Sequence, residues 1–161
     1  MLDLSSPLWA ELRHAYGPAT DIPNLLAQLR AAPPEATWLF QDWDAEPLVS
    51  LGNALVHQCD VYPASYAALP HLVAIAAKQP AANRVICLNL VGCIAMGQQL
   101  DNAPAIPEQL QAAYATALGE AAGIILECLD LDWPDDDYKV LLSALVAVRG
   151  HGSLAETILL S

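Results

Sequence analysis

The chain is poor in positive charge. Only six of its 161 residues are lysine or arginine, against 18 aspartate or glutamate residues, so the formal net charge is −12. A field of this sign repels phosphate backbones and attracts cationic surfaces. The charge therefore argues against nucleic-acid binding and favours a basic protein partner, although acidity also serves simply to keep an apolar protein in solution.

Phenylalanine is scarce too, and runs of β-branched residues are short. Phenylalanine occurs once, while 55% of the residues are hydrophobic and alanine and leucine dominate. This balance favours helices over strands and is enough to bury a continuous core. The sequence predicts one all-α domain covering residues 1–161.

Signatures of disulfides, zinc sites and membrane targeting are missing. The four cysteines have no CxxC spacing, which is typical of buried thiols in a reducing compartment: Cys59, Cys87, Cys93 and Cys128. The amino-terminal residues do not resemble a signal peptide, and no run reaches the roughly 18 apolar residues of a membrane span. We expect a cytoplasmic protein with no disulfides and no membrane partner.

Helix starts are marked by an Asp or Asn followed closely by Pro, as at Asp21, Asp60 and Asn102. Apolar spacing predicts helices over 4–16, 22–31, 45–57, 62–77, 82–96, 105–130, 136–149 and 154–160. Paired in order, they give units beginning near residues 21, 61 and 105, a period of roughly 40 to 45 residues that is typical of HEAT and armadillo repeats. The predicted architecture is a superhelix of stacked antiparallel helix pairs, without a β-sheet.

Local signals refine this prediction. Pro70 lies inside the helix predicted over 62–77, where it removes a backbone hydrogen bond and should cause a kink. Gly97 and Gly150 follow apolar helical runs, as left-handed helix caps do. Ser153 begins a capping-box pattern that should open the last helix.

One stretch has a distinctive order of residues. It reads His57-Gln58-Cys59-Asp60-Val61-Tyr62-Pro63-Ala64-Ser65-Tyr66-Ala67-Ala68-Leu69-Pro70-His71-Leu72. It resembles a pattern of a group of bacterial HEAT-like proteins, His-Gln-Gly-x-Val-Tyr-x-Ala-Ser-Tyr-Ala-Ala-x-Pro-x-Leu, and departs from it at Cys59, where glycine would be expected. The resemblance implies a HEAT-like fold. Because some members of such groups resemble immunity proteins, it also implies neutralisation of a bacterial toxin.

The same stretch holds a cluster of metal-capable or nucleophilic side chains: His57, Cys59, Asp60 and His71. A zinc site or a Cys-His enzyme is one interpretation, but the spacing lacks the usual zinc signatures, and Cys59 has no evident base. In the structural alternative, Asp60 caps the following helix, His57 bonds nearby backbone, and Tyr62 and Tyr66 fill a groove between helices. We predict no metal and no cofactor. The two other histidines are expected at the surface: His14 and His151.

Five carboxylates surround Trp133 in one predicted loop: Asp130, Asp132, Asp135, Asp136 and Asp137. The loop lacks the glycine and glutamate that a calcium-binding loop requires. It is either a solvated helix start or an acidic contact site in which Trp133 serves as an apolar anchor.

A second acidic and aromatic segment contains Trp38, Asp42, Trp43 and Asp44. If the loops between stacked units share one edge, the two segments form a single surface. The predicted function is non-enzymatic protein binding, specifically an immunity protein against a cationic toxin. The alternatives are a scaffold without a toxin partner and an enzyme centred on His57 and Cys59.

Overall fold

Most of the chain is α-helical. The computed structural model describes residues 1–33 and 46–161, and seven α-helices lie in those ranges. They are α1 (Ile22–Ala31), α2 (Leu48–Leu55), α3 (Pro63–Ala76), α4 (Ala81–Gly97), α5 (Glu108–Leu129), α6 (Asp135–Val148) and α7 (Gly152–Leu160). The prediction of a mostly helical protein is confirmed.

The helix predicted over residues 4–16 is wrong. The segment forms a 3-10 turn at Pro7–Ala10 and an antiparallel hairpin of β1 (Arg13–His14) and β2 (Gly17–Pro18). The Trp9 indole N–H donates to the carbonyl of Asp3 over 2.9 Å, which folds the start of the chain back on itself. Tertiary contacts override helix propensity here.

A second hairpin ends α2 two residues before the predicted boundary. It joins β3 (Val56–His57) to β4 (Asp60–Val61), so two short ladders correct the expectation of no β-pairing. The two-residue turn places Gln58 at φ +52° and Cys59 at φ +70°. Positive φ at both central positions is the geometry of a type I′ turn, which normally takes Asn-Gly.

Helix α3 lies at the centre of the molecule. It packs against α1, α4 and α5, while α6 packs against α4, α5 and α7. The Tyr66 ring on α3 meets the Tyr114 ring on α5 edge to face, with centroids 5.4 Å apart. Pro70 is buried within α3, which continues past it to Ala76.

At two positions a glycine allows another segment of the chain to lie in close contact with helix α4. A Cβ on Gly92 would lie 2.8 Å from both Cα and Cβ of Ala144, so α4 and α6 come into contact there only because the side chain is absent. A Cβ on Gly97 would lie 2.6 Å from Val61 Cγ1. Gly97 is the last residue of α4 and supplies close contact, instead of the predicted left-handed cap.

The other predicted helix ends have mixed outcomes. Gly150 follows α6 with φ +88°, which confirms its left-handed conformation. The capping box at Ser153 is wrong, because α7 already begins at Gly152 after His151.

Helix α5, at 22 residues, is long and apolar enough to cross a membrane, and no other described helix meets both criteria. Its buried residues recur at three- and four-residue steps, as on an amphipathic helix that packs on a protein core: Leu110, Tyr114, Ala117, Ala121, Ala122, Ile125 and Cys128. Two of the carboxylates on its other face are exposed at Glu120 and Glu127.

Candidate partner-binding surface

The acidic turn joins α5 to α6. Asp130 is the residue after α5, and α6 opens with three carboxylates. Four of the five aspartates are exposed and Asp137 is partly buried. Among the described residues, only Asp136 of the five has a cationic neighbour, Lys139, at a loose 3.9 Å.

Trp133 fastens this turn to the body of the protein. Its indole N–H donates to the Cys128 carbonyl over 2.7 Å, and the half-buried ring packs on the core. The Tyr138 hydroxyl donates to the Leu131 carbonyl over 2.6 Å. The turn is therefore built from internal bonds, with part of the Trp133 ring and the 45%-exposed Leu131 left at the surface.

Helix dipoles account for only some of the carboxylates. Asp135, Asp136 and Asp137 lie in the first turn of α6, where the positive end of the helix favours negative charge. Asp130 lies at the negative end of α5, with Asp132 two residues beyond it, and the last turn of α5 has no basic residue. A carboxylate at the wrong end of a helix costs about 0.3–1 kcal/mol. Asp130 therefore opposes the local helix field, Asp132 lies midway between the two helices, and neither contributes anything evident to the fold.

The second predicted segment lies outside the described residues, together with its four candidate side chains: Trp38, Asp42, Trp43 and Asp44. Glu46, at its edge, is described. Its carboxylate accepts bonds from the Ser50 hydroxyl at 2.8 Å and the Ser50 amide at 3.2 Å, at the start of α2.

The two hairpins bring the side chains of Tyr16 and His57 together. The Tyr16 hydroxyl and His57 Nδ1 are 3.2 Å apart and hydrogen-bonded, and the two rings meet edge to face. The Ala15 amide donates to the Ala54 carbonyl over 3.0 Å, which holds the first hairpin to α2. His57 thus bonds a side chain that is 41 positions away in sequence, instead of nearby backbone.

Asp60 does not cap α3. It lies in β4 and accepts a bond from the Asn102 side chain over 2.8 Å. Ser65 takes the capping role: its hydroxyl accepts the Tyr62 amide at 2.9 Å and donates to the Leu55 carbonyl at 2.6 Å. One buried serine therefore joins the end of α2, the hairpin and the start of α3.

His71 does not join the His57 cluster. It lies eight residues along α3, about 12 Å from the helix start at 1.5 Å per residue. Its Nε2 bonds the Leu2 carbonyl at 2.8 Å, and Arg30 donates to its Nδ1 at 3.0 Å, so the ring is neutral and carries its proton on Nε2. Burial lowers the pKa of His71, which keeps it neutral.

His14 is buried, which corrects its predicted surface position, whereas His151 is exposed as expected. His14 Nδ1 accepts the Tyr16 amide at 3.1 Å, so Nε2 carries the proton and donates to Asp21 at 3.1 Å. Asp21 consequently makes no side-chain cap bond to α1.

No group of three or more His, Cys, Asp or Glu side chains within the described ranges is arranged to hold a metal ion.

A mostly apolar cleft of about 590 Å³ lies between α4, α7 and the β3–β4 turn. Its walls include Cys59, Cys93, Met96, Leu100 and Leu154. Sequence reasoning missed this cleft because its walls come from three segments far apart along the chain.

Cys59 is exposed, which corrects the expectation that every cysteine is buried, and all four cysteines are free thiols.

The chain matches no protein-family model, no curated protein and no solved structure.

Proposed function

We propose that this protein is a non-enzymatic binding module that recognises a basic protein through the α5–α6 turn. The observation that carries the proposal is the placement of Asp130 and Asp132, two exposed carboxylates in the α5–α6 turn, the first of which lies at the end of α5 where the helix field is already negative. A cationic partner would relieve this repulsion, and the net charge of −12 would speed the encounter. Leu131 and the exposed part of Trp133 would supply apolar contact.

The proposed architecture is a stack of HEAT-like helix pairs. Its support is the pattern of neighbours: α1 packs on α3 and α3 on α5, while α4 packs on α6. The three first helices thus pack in sequence, and the second helices α4 and α6 pack on each other, as they do in stacked pairs. The α5–α6 turn links the two helices of the third pair, and turns of this kind line one edge of such a stack, where a partner can reach them.

The most specific form of the proposal is an immunity protein that occludes a cationic toxin. Acidic inhibitors of basic enzymes associate fast through long-range attraction and dissociate slowly through a few anchored side chains. The alternative is a scaffold that binds a basic protein without inhibiting it. Affinity capture on this chain from a lysate of the native cells would identify the partner. Expressing that captured partner alone and together with this chain separates the two: a toxin stops growth alone and not in combination.

The test uses two variants with the same change in net charge. Asp130→Asn with Asp132→Asn removes two carboxylates from the turn. The matched control, Glu11→Gln with Glu120→Gln, removes two exposed carboxylates elsewhere, neither of which has an ion-pair partner in the described part of the chain. Association of each with the captured partner is measured at low and high salt.

The turn variant should associate about three- to tenfold more slowly at low salt and show a flatter salt dependence, and the control should match the wild type. Asp135, Asp136 and Asp137 remain part of the proposed surface. They are poorer probes because neutralising them also removes a favourable helix-end interaction. Equal effects of the two variants would show that the carboxylates of the turn act only as general surface charge that keeps the protein in solution. A captured partner that is itself acidic would refute the proposal.

A further inference from the structure

Cys59 occupies a backbone position that penalises a side chain. It is the second central residue of the β3–β4 turn, with φ +70°. Residues with a Cβ pay about 1–2 kcal/mol in the left-handed region, and glycine pays almost nothing. Glycine would therefore stabilise this turn more than cysteine does. What Cys59 adds at this position is an exposed thiol.

This turn rests directly on α4. A Cβ on Gly97 would lie 2.7 Å from the Cys59 carbonyl oxygen, so the two backbones touch there. Cys93 is four residues before Gly97, which puts it on the same face of α4, about 6 Å along the axis. Both Cys59 and Cys93 line the cleft between α4, α7 and the turn.

The two thiols differ in accessibility and reactivity. Cys59 is exposed, while Cys93 is largely covered and donates only a weak 3.9 Å bond to the Asn89 side chain. Burial, together with a smaller contribution from Cys59, raises the pKa of Cys93 to about 11. Because the thiolate is the reacting species, an oxidant should react first with the exposed Cys59, and Cys93 in the same cleft is then available as the second thiol.

We propose that Cys59 and Cys93 are a modification site at which hydrogen peroxide produces a reversible intramolecular disulfide. The Cys59 thiolate attacks one peroxide oxygen and the O–O bond breaks, which gives a sulfenic acid on Cys59 and, after proton uptake, one water. The Cys93 sulfur then attacks the Cys59 sulfur, the S–O bond breaks, and the leaving hydroxide takes the Cys93 proton as a second water. Two thiols are oxidised and one peroxide is reduced to two waters.

The bridge would fix the β3–β4 turn to α4 across the wall of the cleft. It would close a loop that runs from Cys59 through α3 to Cys93, and so restrain the unfolded chain. A dithiol reductant would reverse it by thiol-disulfide exchange. Cys87 and Cys128 are buried free thiols and serve as internal controls.

The experiment treats the folded full-length chain with a small excess of hydrogen peroxide. Remaining thiols are alkylated under denaturing conditions, and the digest is mapped by mass spectrometry. We expect a Cys59–Cys93 cross-linked peptide that disappears on reduction, with Cys87 and Cys128 recovered in alkylated form. The oxidised chain should also unfold at a higher urea concentration than the reduced chain.

Two variants keep the result interpretable. Cys59→Ser changes only an exposed turn residue and should abolish the cross-link and the shift in the urea midpoint, whereas Cys128→Ala should retain both. Cys93→Ala should leave Cys59 as a sulfenic or more oxidised acid. Recovery of Cys59 as sulfinic acid in the wild type, with Cys93 still reduced, would overturn the proposal, and so would a disulfide that links two chains.

Discussion

The Tyr66–Tyr114 pair offers a test in which two chemically identical substitutions should change the free energy of unfolding differently. Both rings are buried and pack edge to face at a centroid distance of 5.4 Å. The Tyr66 hydroxyl donates to the Pro104 carbonyl over 2.8 Å. The buried Tyr114 hydroxyl has no hydrogen-bond partner among the described residues.

Removing each hydroxyl therefore removes something different. Tyr66→Phe deletes a buried hydrogen bond and leaves the Pro104 carbonyl without that donor, which should cost about 1–2 kcal/mol in the free energy of unfolding. Tyr114→Phe deletes a desolvated hydroxyl with no compensating bond, and should be neutral or stabilising by up to about 1 kcal/mol. Both variants keep the ring contact, which contributes about 0.5–1.5 kcal/mol on its own.

Burial affects the ionisation of both hydroxyls in the same direction. It raises the pKa of Tyr66 to about 12 and raises the pKa of Tyr114 as well. Neither hydroxyl ionises near neutral pH, so melts at pH 7 compare neutral phenols only.

Urea unfolding of the two variants and the wild type at pH 7 provides the measurement. Unchanged m-values would show that the denatured state is comparable in all three, so that a shift in midpoint reports stability. The expected order of stability is Tyr114→Phe at or above the wild type, with Tyr66→Phe about 1–2 kcal/mol below it. If Tyr114→Phe is the more damaging change, our assignment of the two hydroxyls is incorrect.

Three further predictions concern packing and pH. Gly92→Ala should destabilise the protein by about 1–3 kcal/mol, because the new methyl group would force α4 and α6 apart. Lowering the pH through about 6.5 should reduce the free energy of unfolding, because His71 takes up a proton in the unfolded chain but stays neutral where it is buried in the folded one. Replacing His71 with Gln should remove its part of the slope of unfolding free energy against pH, which is at most about 1.4 kcal/mol per pH unit. Tyr66→Ala should cost about 3–5 kcal/mol in urea melts, more than the half-buried Trp133→Ala.

Matched controls separate these effects from general damage. Gly119→Ala lies on the exposed face of α5, where a Cβ meets nothing within 4 Å, and should stabilise by about 0.5–1 kcal/mol. His151→Gln changes an exposed histidine and should leave the pH dependence of stability close to that of the wild type. If Gly92→Ala also stabilises, α4 and α6 do not approach as closely as described. Parallel pH profiles for wild type and the His71 variant would assign the slope to other groups.

Sequence reasoning succeeded where a local signal set the helix. The predicted helix 22–31 has the observed bounds of α1, and the helices predicted over 62–77, 82–96 and 136–149 differ from α3, α4 and α6 by one residue at each end. In each case a proline in or just before the first turn and an apolar face agree with each other.

It failed where a distant residue decides the conformation. The predicted helix 4–16 is replaced by a hairpin that His14 holds through Asp21 and that Ala15 holds through Ala54. Gly97 looked like a helix cap, but it is set by contact with the β3–β4 turn. The cleft shares this property, because no local pattern indicates that Cys59 and Cys93 line the same cleft.

The two candidate regions, the 57–72 stretch and the α5–α6 turn, differ in whether their polar side chains find hydrogen-bond partners inside the fold. Along the 57–72 stretch, His57 bonds Tyr16, Asp60 bonds Asn102, and Ser65 bonds two backbone groups. These bonds hold two hairpins, α2 and the start of α3 together, so their chemistry is used inside the fold. The α5–α6 turn is the reverse case: its backbone is held by Trp133 and Tyr138, while most of its carboxylates face solvent and have no cationic neighbour in the ranges 1–33 and 46–161. A rigid turn that presents uncompensated charge can bind a cationic surface without first ordering itself, which lowers the entropic cost of association.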